Sequence, residues 1–312
     1  MSNHITVREV GLRDGLQLVP FHVDTETKLA WLRAEAEAGV ASFEVTSFVS
    51  RKAMPQFADA EVVAAQASQL PGVTAAALAL NGRGAERALE AGVGMLVFVI
   101  SASQAHSQGN AGRSADQALA EFGEVMAQVR ACAPERRPRV LAGVATAFGC
   151  TLEGAIDPAR VRSLMTALAS QGPDEMALAD TVGFANPAQV KTLCRQVMGD
   201  IGNIPLGLHL HDTRGLGLVN VVAGLEAGVT AFDAALGGLG GCPFAPGASG
   251  NVATEDLVYL LHTLGLRTGI HLPRLLQVRA QLAQWLPGVE LHGAVGQAGI
   301  PAHQVAEMAA TA

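Results

Sequence analysis

The sequence predicts an α/β fold, a (β/α)8 TIM barrel with extra C-terminal helices. A phrase recurs in which a helix-forming stretch ends in Glu-Ala-Gly-Val and a short apolar run follows, at residues 37–45, 90–99 and 226–234. Glycine can take the left-handed conformation that ends a helix, so each copy indicates a helix that leads into a buried strand. The second observation is that strands and helices alternate along most of the chain.

Eight candidate strands emerge when the chain is followed outward from these copies. One of them, at 175–179, follows a looser version of the phrase that begins Gln171-Gly172-Pro173. In chain order the strands are predicted at 5–10, 41–46, 73–79, 94–100, 138–145, 175–179, 205–210 and 229–235.

Helical patterns separate these strands. They are predicted at 24–38, 56–69, 83–91, 114–131, 157–170, 187–198 and 215–227. Continuously apolar strands that alternate with amphipathic helices predict parallel strands covered on the outside. Eight such units fit a closed barrel better than an open sheet, and no GxGxxG follows the first strand, which disfavours a dinucleotide-binding half.

A single domain is predicted for residues 1–312, since no linker-like composition divides the chain. The barrel is expected to span about 5–268. Residues about 269–312 carry two more helical patterns, which are interpreted as an appendage on the barrel.

Composition and charge exclude several classes of protein. Apolar residues make up 49% of the chain and charged residues 16%, which suits a large buried core and argues against disorder. The net charge of −7 and the lack of a Lys/Arg cluster exclude nucleic acid as an expected partner.

The sequence also predicts a cytoplasmic protein that does not bind membranes. Its four cysteines are far apart and form no CxxC pair, so neither structural zinc nor a disulfide framework is expected, as in a reducing compartment. The N-terminus lacks a basic head and an apolar signal core. The longest uncharged apolar stretch, 91–102, is about half of what a membrane span needs.

Polar residues cluster where the predicted strands end. In barrels of this type the chemistry lies at the carboxyl ends of the strands and on the loops that follow. For Glu44 and Asp180, structural ion pairing is an equally good interpretation. The residues in question are Arg13, Asp14, Glu44, His106, Thr146, Asp180, His209, His211 and Asp212.

His209 and His211 are two positions apart on the seventh strand, so both side chains leave on the same face. Two imidazoles that converge at a strand end are a natural half of a metal site, and Asp14 ends another strand. Two histidines, an aspartate and an amide oxygen would suit Mg2+, Mn2+ or a similar ion. Ligand type alone leaves Zn2+ open.

A glycine-rich stretch, 237–251, follows the eighth strand and contains Cys242. Such a loop can move or let a substrate approach the backbone closely, but it lacks the lysine and Ser/Thr of a phosphate-binding P-loop. Asn251 ends the stretch just before a helix expected to begin near Val252, so an ordinary N-cap is an alternative role for it.

Five segments together resemble the 3-hydroxy-3-methylglutaryl-CoA lyase family. The resemblance runs in register from about residue 5 to 268, and the cysteine loop is specific to the lyases within a superfamily that also holds the isopropylmalate and homocitrate synthases. The segments are 10–17 (VGLRDGLQ), 43–50 (FEVTSFVS), 179–183 (ADTVG), 209–213 (HLHDT) and 238–251 (GLGGCPFAPGASGN).

The resemblance implies a set of site residues. The metal ligands would be Asp14, His209, His211 and Asn251. The catalytic groups would be Arg13, which would stabilise the enolate oxygen of the leaving acyl-CoA, and Cys242, which would act in proton transfer, with Asp14, Glu44 and Asp180 in support. Arg13, Gln17 and Thr181 would bind the substrate.

The implied activity is metal-dependent cleavage of 3-hydroxy-3-methylglutaryl-CoA, or of a closely related branched 3-hydroxyacyl-CoA, to acetyl-CoA and a keto acid such as acetoacetate. Such a reaction belongs to leucine degradation, and the family suggests a homodimer or a higher homo-oligomer.

One alternative is a Claisen-type condensing enzyme acting on a 2-oxo acid, against which the cysteine loop argues. Another is a related acyl-CoA lyase with a different substrate. A silent scaffold barrel would lack metal ligands, whereas all four are present.

The sequence departs from the family's pattern near the expected substrate mouth. Gln17 is followed by Leu18 and Val19 where the family has Asn-Glu, and Arg214-Gly-Leu216 stands where it has Tyr-Gly-Gln. The segment 106–113 lacks the lysine-bearing pattern common at that place. These departures leave the acyl group open, and Arg214 could pair with a substrate carboxylate, with Asp212 or with a surface acid.

Overall fold

The eight parallel strands close into one barrel. The computed structural model describes residues 3–241 and 250–310. Strand order around the barrel follows the chain, from β1 to β8 and back to β1. The strands are β1 (Thr6–Glu9), β2 (Ser42–Ser47), β3 (Thr74–Leu78), β4 (Met95–Ser101), β5 (Arg139–Ala145), β6 (Glu175–Asp180), β7 (Leu206–Leu210) and β8 (Ala231–Ala234).

Helices cover the outside of the barrel, as continuously buried parallel strands require. They are α1 (Thr25–Glu37), α2 (Ala60–Ala67), α3 (Gly82–Glu90), α4 (Gln104–Ala111), α5 (Ala115–Ala131), α6 (Pro158–Ala169), α7 (Pro187–Ile201), α8 (Gly217–Ala227), α9 (Thr254–Thr263), α10 (Leu272–Trp285), α11 (Ala294–Ala298) and α12 (Val305–Ala310). Local sequence signals explain where two of these helices begin. Ser114 and Asn186 form capping boxes at the N-termini of α5 and α7, and Pro187 occupies the first turn of α7.

The predicted barrel is confirmed, with each strand at its expected place. The helix α4 was not predicted. Three helices rather than two follow residue 270, and α9 begins at Thr254 rather than near Val252. The last helices pack beside the barrel: the His271 amide donates to the Ala38 carbonyl, and Arg279 pairs with Glu255.

The apolar core has two parts. A large cluster fills the space between the strands and the helices, and a smaller one lies inside the barrel, made of Ala76, Leu78, Met95, Val97, Leu141 and Ala177. Small side chains on the inner face leave room for a cavity above this inner cluster. Within the described residues, no helix has the length and apolar character needed to cross a membrane.

Candidate metal centre and active site

The predicted metal ligands approach one another at the mouth of the barrel. Asp14 lies in a wide helical turn, Gly11–Gly15, which the Val10 carbonyl holds by accepting the amides of Arg13, Asp14 and Gly15. His209 is on β7, and His211 follows that strand.

Ligand atoms of Asp14, His209 and His211 all lie within 4.8 Å of one another. The two histidine Nε2 atoms are 3.0 Å apart, and His211 Nε2 is 3.5 Å from an Asp14 oxygen. Three donors of this kind at this spacing form a group that could hold one metal ion.

Asn251 lies beside this group. Its backbone forms a β-bridge with His211, and its side-chain Nδ2 donates to Asp14 at 2.7 Å and to the Leu239 carbonyl at 2.9 Å. Both partners are acceptors, which fixes the amide orientation. The remaining Oδ1 is buried and has no hydrogen-bond partner among the described residues. The amide is thus hydrogen-bonded to Asp14, and a buried oxygen without a partner is a ligand type that suits a hard divalent cation. Asn251 does not cap α9, whose N-cap is Ala253.

Gly240 shows how closely the glycine-rich segment approaches these ligands. A Cβ at this position would lie 2.5 Å from Asn251 Nδ2 and 3.1 Å from an Asp14 oxygen, and its φ is +118°. Only glycine fits such a position without displacing a ligand. Residues 242–249, with the predicted catalytic Cys242, lie outside the described residues.

A carboxylate behind His209 sets the orientation of its ring. Asp233 on β8 lies 3.2 Å from His209 Nδ1 and accepts from Arg8 at 3.0 Å, and Arg8 also pairs with Glu175. The contact places the His209 proton on Nδ1 and turns the Nε2 lone pair toward the other ligands. Sequence reasoning missed Arg8 and Asp233, although charged residues inside two short buried strands were a signal.

Electrostatics favour charged carboxylates at this site. Burial by itself would raise the pKa of Asp14, but Arg13 and the two histidines outweigh it and hold that pKa well below its usual range. Burial likewise opposes ionisation of Asp233, whereas Arg8 and His209 lower its pKa.

Arg13 is held between two acids beside the metal ligands. Its guanidinium donates to Asp14 at 2.8 Å and to Glu44 at 2.7 Å, and its Nε is buried without a partner among the described residues. Burial raises the pKa of Glu44, against the effect of Arg13. The pairing with Glu44 matches the structural interpretation of that residue, and it also fixes the guanidinium in position.

A cavity of about 240 Å3 opens beside these groups. Its polar end is lined by Arg13, Asp14 and the two histidines, and its inner end by Leu78, Val97, Leu141 and Ala177. The predicted substrate-binding residues Gln17 and Thr181 also line it. The cavity can therefore take a small polar acyl group at the metal centre.

Asp180 and Arg214 stabilise the turn after β6 through hydrogen bonds to its backbone. Asp180 accepts the amides of Phe184 and Ala185, at 2.8 and 3.0 Å. Arg214 donates to the carbonyls of Val182 and Gly183, and its guanidinium carbon lies 4.4 Å from the Phe184 ring centroid. Arg214 thus binds backbone oxygens and an aromatic ring rather than Asp212, which accepts the Gly217 amide.

Comparisons with known proteins show the family of this chain. Residues 4–282 match the family model described as HMGL-like. Hydroxymethylglutaryl-CoA lyase of Bacillus subtilis is 40% identical over 282 residues, covering 90% of this chain and 92% of that protein. (R)-Citramalyl-CoA lyase of Chloroflexus aurantiacus is 38% identical, and the alignment covers 98% of each chain. Among solved structures, an HMG-CoA lyase from Acinetobacter baumannii in complex with coenzyme A and 3-methylmalate has a TM-score of 0.91 at 41% identity, covering 97% of each chain.

Proposed function

The chain belongs to the HMGL-like family and is a carbon–carbon lyase of the hydroxymethylglutaryl-CoA lyase type, and from this premise we propose that it cleaves 3-hydroxy-3-methylglutaryl-CoA or a closely related branched 3-hydroxyacyl-CoA. The products would be acetyl-CoA and a keto acid. The observation that carries the proposal is the convergence of Asp14, His209 and His211, with the Asn251 amide hydrogen-bonded to Asp14, beside the fixed Arg13 guanidinium.

The reaction needs three events. The 3-hydroxyl proton passes to solvent water, the Cα–Cβ bond breaks with its electron pair passing to the thioester as an enolate, and the enolate carbon takes up a proton. A divalent cation held by the four ligands would lower the pKa of the 3-hydroxyl. Arg13 would offset the charge that develops on the thioester oxygen, an effect on the order of 3 kcal/mol. Cys242 is our proposed proton carrier for the enolate.

We propose Mg2+ or Mn2+ as the metal because the donors are two imidazoles and two oxygen ligands without a thiolate. Zn2+ accepts the same donor types, so titration of metal-free protein with each ion is the deciding measurement.

The acyl group can be one of two kinds. In 3-hydroxy-3-methylglutaryl-CoA the free carboxylate is one methylene removed from the carbinol carbon, and cleavage gives acetoacetate. In citramalyl-CoA the carboxylate is attached to the carbinol carbon, and cleavage gives pyruvate. The relative from Chloroflexus aurantiacus supports the second substrate, while the Bacillus subtilis relative supports the first.

Purified protein incubated with Mg2+ or Mn2+ and a panel of 3-hydroxyacyl-CoA thioesters tests this proposal. We expect acetyl-CoA from at least one branched substrate, with acetoacetate or pyruvate identifying which, and little from unbranched 3-hydroxybutyryl-CoA. The Asp14→Asn variant should be inactive on the same panel. No acetyl-CoA from any thioester at saturating metal would overturn the proposal.

Condensation of acetyl-CoA with a 2-oxo acid is the alternative, and the same protein tests it when acetyl-CoA and a 2-oxo acid are supplied. Release of free CoA from this mixture, faster than release of acetyl-CoA from the branched 3-hydroxyacyl-CoA thioesters, would favour it. We also propose that the chain works in the cytoplasm as a homodimer or larger homo-oligomer, which light scattering would test, and that leucine degradation supplies the substrate if acetoacetate is the product.

A further inference from the structure

The C-terminal appendage, about 269–312, touches the first residues of the glycine-rich segment. These residues, 237–241, are called its root here. The His292 amide of the appendage donates to the Gly237 carbonyl at 2.7 Å. A Cβ at Gly237, whose φ is +68°, would lie 3.0 Å from the Leu291 side chain. The appendage and the root are therefore in direct contact, and a residue with a side chain would strain this contact at Gly237.

Glu255 joins the same glycine to the appendage. Its side chain, on α9, is fully buried, and one carboxylate oxygen accepts the Gly237 amide at 2.9 Å. The other oxygen accepts from Arg279 Nε, on α10, at 2.5 Å. The same guanidinium donates to the His292 carbonyl at 2.8 Å and to the Leu291 carbonyl at 3.4 Å. The amide and the carbonyl of Gly237 are thus both engaged, and Arg279 binds both of the residues that engage them.

Two residues further along the root, the chain reaches the predicted metal ligands. The Leu239 carbonyl accepts the side-chain Nδ2 of Asn251 at 2.9 Å and the Asn251 backbone amide at 3.4 Å. Gly240 lies so close to Asn251 and Asp14 that a Cβ would collide with both side chains. Any displacement of the root therefore moves the carbonyl that orients the Asn251 amide.

Building on the proposed metal site, we infer that Arg279 is a positioning residue for the ligand Asn251. It acts through Glu255 and through the backbone of the root, from Gly237 to Leu239. Without Arg279, Glu255 would be a buried carboxylate without its ion-pair partner, so its contact with the Gly237 amide would rearrange. The appendage thereby contributes to the metal centre, although the four proposed ligands all precede it in the chain.

Calorimetric titration of metal-free protein with Mn2+ separates this role from a purely structural one. Arg279→Met should weaken Mn2+ binding by about 2- to 30-fold, the range for a residue coupled to a site through a series of contacts. Arg274→Met, at an exposed position of the same helix, is the matched control. Arg162→Met removes an ion pair with Asp200 and controls for the loss of a salt bridge elsewhere. Both controls should bind Mn2+ like the unaltered protein. Unchanged binding in Arg279→Met, or the same weakening in a control, would overturn the inference.

Hydrogen exchange measured by mass spectrometry tests the anchoring of the root without metal. The amides of a peptide that covers 237–241 should exchange faster in Arg279→Met than in the unaltered protein and in Arg274→Met, whereas peptides from α6 should exchange as before. Unchanged exchange at 237–241, or faster exchange throughout the protein, would contradict the inference. If the unaltered protein cleaved no thioester, the proposed function would fail, while the Mn2+ titration and hydrogen exchange would still decide the role of Arg279.

Discussion

His209 Nδ1 lies 3.2 Å from a carboxylate oxygen of Asp233, so this acid orients the ring that would bind the metal. Such a contact fixes the tautomer and raises the basicity of the ligand.

Replacing Asp233 with Asn should weaken metal binding by about 10- to 100-fold, because the amide cannot support the same tautomer as strongly. Calorimetric titration of metal-free protein with Mn2+ measures this. Glu175→Gln is the matched control, since Glu175 shares Arg8 with Asp233 while Asp233, not Glu175, pairs with His209. Equal weakening in both variants would assign the effect to Arg8 instead of His209.

Arg13 should act on the reaction rather than on folding alone. Arg13→Met should lower kcat for acetyl-CoA release by about 100- to 1,000-fold, the cost of losing one oxyanion donor. The same change leaves Glu44 buried without its ion-pair partner and should lower the thermal unfolding temperature.

The double variant Arg13→Met/Glu44→Gln separates the two effects of Arg13. It should regain stability, because no buried carboxylate is left unpaired, but not turnover. Recovery of turnover in the double variant would show that Arg13 serves only to neutralise Glu44.

Cys242 is predicted to be needed for turnover but not for metal binding. Cys242→Ala should suppress acetyl-CoA release and leave the Mn2+ titration unchanged. Cys132→Ala, at a half-buried thiol on the far end of α5, is the control and should keep full activity. Near-normal turnover of Cys242→Ala would remove this thiol from the mechanism.

A buried group of acids near the turn that carries Asp14 should make stability depend on pH. Burial raises the pKa of Glu35 well above its usual value, Glu9 and Glu255 add to the effect, and the Trp31 indole N–H opposes it. Burial also raises the pKa of Glu9, to about 7, against hydrogen bonds from Thr254, Leu236 and Gly11. Glu255 is paired with Arg279.

The sign of this dependence follows from the raised pKa values. The contribution of Glu35 and Glu9 to the free energy of unfolding is complete below about pH 4.5, where both carboxyls are protonated in the folded and in the unfolded chain. It is lost as the pH rises toward 7, because the unfolded chain releases these protons first. The steepest loss would be about 1.4 kcal/mol per pH unit for each proton. Glu35→Gln should flatten the curve of unfolding free energy against pH, measured with urea, whereas exposed Glu37→Gln on the same helix should not. Parallel curves for Glu35→Gln and the unaltered protein would contradict the assignment.

The barrel could be predicted because its signals are local. Glycine ends helices before apolar strands, and eight such units leave few ways to cover both faces of a parallel sheet. The missed helix α4 begins at Gln104 and contains Gly109 and Asn110, which have low helix propensity, so its pattern is weak.

The site could be predicted only in part. His209 and His211 are visible as a strand-end pair, but Asn251 and Asp14 are 237 positions apart and meet only through barrel closure. The resemblance to the family supplied that pairing. The contact between His209 and Asp233 depends on which side chains face one another across neighbouring strands, which a single sequence does not specify.

Turnover of metal-free protein, restored stepwise with Mn2+, tests the central claim most directly. Protein stripped with EDTA and dialysed should release no acetyl-CoA from the branched thioester that the panel identifies. Activity should then rise in proportion to added Mn2+ and level off at about one equivalent per chain, while Asn251→Ala should need more metal to reach its plateau. Full activity in the stripped protein would contradict the claim that Asp14, His209, His211 and Asn251 hold the ion that makes this carbon–carbon bond break.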